Sequence, residues 1–163
     1  MRSRRASHGS ARPLNCSVMP HKIGAQFWFK SDLFAIEPGE DEETNPLCYG
    51  KQLANWLRTQ LMAKGYAVEE VIPEDWGWCV MCARKPFMLW VGCVSVHDYE
   101  KSKPGDPPPN GKDVTWSCMV TAEPSLLAGL FKRINVEPAL GDLGRHVSDI
   151  LSAEPSIDQV AEP

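Results

Sequence analysis

Trp78-Cys79-Val80-Met81-Cys82 has the W-C-x-x-C spacing of a thiol-redox site. Such a site sets its first cysteine at a helix N-terminus, where the dipole lowers the thiol pKa and makes thiolate available. It therefore needs a strand before the motif and a long helix after it. Here Pro86 follows Cys82 within four residues, and Phe87 onward reads as β. On a strand, residues three apart point to opposite faces, so Cys79 and Cys82 would not meet. Buried, inert cysteines are expected, with a thiol-redox protein using Cys79 and Cys82 as a distant alternative.

Four thiolates, Cys79, Cys82, Cys93 and Cys118, are also the ligand number of a structural zinc site. A tetrahedral site is gathered from two close pairs on tight turns. Only one close pair exists, so neither metal nor cofactor is expected. In Val96-His97-Asp98-Tyr99-Glu100, His97 could act as a general base or activate Cys93. On a continuous strand their Cα atoms would lie about 13 Å apart, too far for a hydrogen bond. Phosphate-loop, H-E-x-x-H, G-x-S-x-G and EF-hand spacings are absent. The acidic run Glu40-Asp41-Glu42-Glu43 lacks the alternating ligands and turn glycine of a calcium loop, and reads as a solvated face.

Glu74-Asp75-Trp76-Gly77-Trp78 carries a different chemistry. Two tryptophans beside two carboxylates suit a hot spot for a basic partner or a cation–π site for Lys or Arg. Read as one strand, Trp76 and Trp78 share a face, and Gly77 leaves the other open to close approach.

These residues need a scaffold, and 163 residues with 43% hydrophobic content suffice for one domain with a real core. The net charge is −4, yet residues 1–18 hold Arg2, Arg4, Arg5 and Arg12 and no acid, so residues 19–163 carry −8. An acidic body disfavours nucleic acid, which needs a basic footprint. No stretch reaches the roughly 18 apolar residues of a membrane span. Of six cysteines, the four from Cys79 onward lie in apolar strand-like runs, as expected of a reducing, cytoplasmic setting.

Residues 1–18 have no hydrophobic period and read as a disordered basic tail, translated from an over-early start with Met19 as the true one. A transit peptide and a nucleic-acid arm are the other readings. The single domain is expected over residues 19–152, with 153–163 as a flexible tail. Residues 25–36 read as a first strand. Asn45-Pro46 reads as the start of a helix that ends at Gly65, with Leu47, Gly50, Leu53, Ala54, Leu57 and Leu61 on one stripe. Strands follow over 66–72, 76–84, 87–96 and 113–122, with a turn at Pro73-Glu74-Asp75. A short helical segment after Pro124 precedes a better helix from Pro138, where Leu140, Leu143, Val147, Ile150 and Leu151 align.

The expected order is thus β-α-β-β-β-β-α-α: an α+β fold with a mainly antiparallel sheet of four to five strands and helices on one face. The first β-α-β unit could be a parallel crossover. The expected function is a small non-enzymatic binding protein, immunity-type or adaptor, holding a basic protein partner. Its acidic, tryptophan-bearing surface would comprise Glu74, Asp75, Trp76 and Trp78 with Glu40, Asp41, Glu42 and Glu43. A small hydrolase or transferase using Glu74, Asp75 or His97 near strand ends is the alternative.

Overall fold

The computed structural model describes residues 22–96, 101, 103, 105–124 and 134–163. The expected tail 1–18, His97 and the short helical segment after Pro124 lie outside them. Six strands form one sheet: β1 (Lys22–Lys30), β2 (Ile72–Glu74), β3 (Gly77–Ala83), β4 (Phe87–Val96), β5 (Thr115–Pro124) and β6 (Asp158–Val160). Their spatial order is β2-β3-β4-β5-β1-β6, and every neighbouring pair is antiparallel. Among the described residues, helices α1 (Lys51–Ala63) and α2 (Glu137–Ala153) accompany the sheet in an α+β fold of the expected class. Strands β1 and β2 run the same way, but β3, β4 and β5 lie between them.

The helices share one core with a single face of the sheet. Leu53, Ala54, Leu57 and Leu61 of α1, and Leu140, Leu143, Val147, Ile150 and Leu151 of α2, meet Trp78, Val80, Val91, Trp116, Cys118 and Val120. Residues two apart on a strand share a face, so Cys79, Met81 and Trp90 must point the other way. They form a second cluster with Ile72, Trp76, Met88 and Met119, to which no described helix residue contributes. The continuous apolar runs of β3 and β4 arise from these two clusters.

Helix α1 starts five residues later than the expected Asn45 cap suggests, with Gly50 as its N-cap. Asn45 and Pro46 form a turn, Leu47 has φ 71°, and Gly50 has φ 149°. Residues 47–50 are held against the end of β4, where the Ser95 N–H donates to the Tyr49 carbonyl at 2.8 Å. Gly50 is required there: its φ lies in the left-handed half of the map, and a Cβ would come within 2.7 Å of the Cys93 carbonyl oxygen. The helix ends as expected at Gly65, whose N–H donates to the Met62 carbonyl while Tyr66 N–H donates to Leu61.

Residues 66–71 are not the expected strand. The Glu69 carbonyl accepts from Arg58 Nε of α1 at 2.7 Å while its N–H donates to the Met81 carbonyl of β3 at 3.2 Å, so the stretch is tied to both α1 and the sheet without a continuous ladder. Strand β2 is instead Ile72-Pro73-Glu74, an edge where a missing proline N–H is tolerated.

The stretch 153–163, expected to be a flexible tail, supplies the sixth strand. Asp158, Gln159 and Val160 pair with Lys30, Phe29 and Trp28, and Ile157 is buried. A strand this short and polar is invisible to periodicity, because the edge of β1 and not its own pattern holds it. Ending the chain after Ala153 is expected to lower the unfolding free energy by about 2 kcal/mol or more, the worth of one buried isoleucine plus the lost pairing. A urea midpoint equal to that of the full chain would contradict this.

Candidate functional site

The second cluster frames the larger of the two described pockets, a cavity of about 380 Å³ on the face of the sheet opposite the helices. Its base is Cys79 and Met81 of β3 with Met88 and Trp90 of β4; Ile72, Glu74 and Trp76 close it from the β2–β3 hairpin, and Arg84 and Glu123 from the far end. A smaller groove of about 150 Å³ lies between Trp56 of α1 and Ile150 of α2.

Trp76 reaches the cavity because the hairpin turns one residue later than the expected Pro73-Glu74-Asp75 turn. Glu74 pairs with Gly77, leaving Asp75 and Trp76 as a two-residue turn. Trp76 therefore escapes strand alternation and folds over the sheet. Its ring stacks on Trp90 with centroids 5.3 Å apart and planes at 24°. Gly92 makes room beneath, since a Cβ there would approach the Trp76 ring to 2.8 Å. Trp78 points the opposite way and is 2% exposed in the core, with Lys51 Nζ 5.0 Å from its ring centroid. The expected shared face of Trp76 and Trp78 is corrected: one residue of turn separates them onto opposite faces. Trp78 is thereby removed from the candidate surface.

The acidic run divides in the same manner. Glu40 is 2% exposed, and its carboxylate accepts from the N–H groups of Gly50 at 2.6 Å, Lys51 at 2.7 Å and Glu37 at 3.1 Å. It caps α1 from ten residues upstream, placing negative charge at the positive end of the helix. Asp41 accepts from Leu47 N–H at 3.2 Å, and Glu43 pairs with Lys51 at 2.6 Å. Burial, and then the Asp41 charge, push the Tyr49 phenol up to about 12. None of Glu40, Asp41, Glu42 and Glu43 lines the cavity. The expectation of a solvated run serving the same site as Trp76 is corrected for Glu40, which is an internal cap. Glu42 and Glu43 are exposed but stand apart from the tryptophan site.

Glu74 and Asp75 are exposed, as expected, and Glu74 lines the cavity. Glu123 of β5, Trp90 and three methionines were not singled out from the sequence. The signal was the alternate set Met88-Trp90-Gly92 within β4, which leaves that strand apolar on both faces. Arg84 brings no free positive charge, because its guanidinium grips Glu69 through Nε at 2.7 and 3.0 Å and Nη2 at 2.8 Å. That grip holds the Glu69 carboxyl below its usual range. Among the described residues no cation forms an ion pair with Glu74 or Glu123. The cavity therefore combines tryptophan, methionine and cysteine walls with charged margins, where Glu74 and Glu123 stand without a cation among the described residues.

Cys79 and Cys82 fall in the outer and inner clusters respectively, on opposite faces as the strand reading requires. Burial pushes both thiols up to about 12, with Glu74 and Glu123 adding to the effect at Cys79. At pH 8 about one molecule in ten thousand would carry thiolate at either position. Both are expected to resist an aromatic disulfide reagent at pH 8 until the protein is unfolded; rapid release of colour from native protein would contradict this. Cys93 and Cys118 pair across β4 and β5, fully buried, and their mutual hydrogen bond adds to burial in raising the Cys93 thiol. Among the described residues no group of three or more His, Cys, Asp or Glu is gathered to hold a metal ion. Comparison with protein-family models, with curated proteins and with solved structures gave no match.

Proposed function

We propose that this is a non-enzymatic binding protein, of immunity or adaptor type, whose sheet face opposite α1 and α2 holds a basic protein partner. One observation carries the reading: a cavity walled by the Trp76–Trp90 stack has Glu74 and Glu123 at its margins, while the arginine that lines it is already paired with Glu69. Desolvated tryptophan supplies affinity at such a face, and carboxylates choose the sign of the partner. Asp75, beside Trp76 in the turn, adds to the negative field.

The test is affinity capture from the native lysate with the wild-type chain, Glu74→Lys and Trp76→Ala. A basic protein retained by the wild type and lost from both variants is the expected result, with retention falling as salt rises. Capture unchanged by both substitutions would place any binding elsewhere. A retained partner of acidic composition would refute the charge argument.

A further inference from the structure

We infer that the occupant of this face is an amphipathic basic segment of a partner, with its apolar side on the tryptophan and methionine surface and its cations reaching Glu74 and Glu123. The inference rests on the reading of the face as a binding surface and names what that surface selects.

Charge alone does not describe the lining. Half-buried Met88 and Met119 lie in one cluster with half-buried Trp76, over the buried Met81 and Trp90. Unbranched thioethers fit apolar side chains of many shapes, and methionine is over-used at surfaces that accept varied apolar segments. A segment of lysines alone would leave this surface in contact with water or cover it with nothing apolar. The occupant must therefore bring apolar side chains of its own.

Its cations must also be spaced. Glu74 belongs to β2 and Glu123 to β5, with β3 and β4 between them. Three strand spacings across the sheet and about six residues of register along it separate the two positions by roughly 25 Å. One lysine or arginine cannot serve both. A segment with a basic residue at each end of an apolar stretch can, and laying an apolar helix face into such a groove is a common recognition mode. Arg84 does not repel it, since Glu69 holds that guanidinium. A second copy of the chain suits the face poorly, because residues 19–163 carry −8 and would set acid against acid.

The test is a calorimetric titration of the full chain with three 18-residue synthetic peptides. One arranges Leu and Lys with helical amphipathic spacing; the second has the same composition scrambled; the third keeps the spacing with Glu in place of Lys. The first is expected to bind at least tenfold more tightly than the second, and the third not at all. Met88→Glu and Glu123→Lys, both at partly exposed positions, should each weaken the first peptide tenfold or more while leaving the thermal midpoint unchanged.

Equal binding of the amphipathic and scrambled peptides would overturn this inference while leaving the basic-partner reading intact. No binding of either basic peptide would overturn both. Binding that survives Met88→Glu and Glu123→Lys would place the peptide away from this face and overturn the inference. Self-association that both variants abolish and the peptide does not displace would make a second copy the occupant instead.

Discussion

Replacing Glu40 by alanine is expected to lower the unfolding free energy by about 3–5 kcal/mol, an unusually large cost for one residue of an acidic run. Three backbone N–H groups, those of Glu37, Gly50 and Lys51, donate to its carboxylate, which is itself 2% exposed. Loss of a helix N-cap costs roughly 0.5–2 kcal/mol, and each buried donor left without an acceptor roughly 1–3 kcal/mol. The groups also lie where chain segments meet, since Tyr49 beside them is bonded to Ser95 at the end of β4. The loss should therefore loosen the contact of α1 with the sheet as well as fray the helix. Glu42→Ala is the control: Glu42 is exposed, so its loss should stay within about 0.5 kcal/mol. Urea unfolding followed by far-ultraviolet dichroism measures both. Equal midpoints for the two variants would mean that the Glu40 carboxylate is replaceable by solvent.

That contrast shows where the sequence is mute. Glu40, Asp41, Glu42 and Glu43 are alike as letters, and only the 3₁₀ turn after Gly39, at φ 76°, carries the first of them inward. Two of its three partner N–H groups are ten and eleven residues away, beyond any local motif. The same limit explains Trp76. Alternation along Trp76-Gly77-Trp78 puts both indoles on one face only if Trp76 lies within the strand, and a one-residue change in where the hairpin turns reverses the answer. Features determined by local period were legible. The leucine stripes of both helices, the pairing of β3 with β4, and the opposed faces of Cys79 and Cys82 all follow from spacing in the sequence. Strand β6 and the Glu123 side of the cavity depend on contacts across the chain. They could be found only once β1 and β5 were in place.

The strongest separation of fold from function is expected between Trp78→Ala and Trp76→Ala, two positions apart. Trp78 stands in the core at 2% exposure among Val80, Val91 and the helix leucines, so its truncation should cost about 3–5 kcal/mol, as for other buried aromatics. Part of that cost is offset because its indole N–H finds no acceptor among the described residues, and alanine removes that buried donor. Trp76 is half-buried and holds one stacked partner, Trp90, whose contact is worth about 0.5–1.5 kcal/mol beyond the area covered. Its removal should shift the unfolding midpoint modestly and leave the core intact, because no residue of the helix-covered cluster depends on it for packing. Capture of a basic partner should behave in the opposite sense. Trp76→Ala opens the wall of the cavity and should weaken capture by roughly 2 kcal/mol or more, about thirtyfold, the range of a central aromatic hot spot. Trp78→Ala, compared at a temperature where it is still folded, should retain the partner. Thermal unfolding and partner capture on the same two preparations supply the comparison. If Trp76→Ala unfolds as readily as Trp78→Ala, or if both bind alike, the tryptophan on the face opposite α1 and α2 is part of the scaffold and the binding surface lies elsewhere.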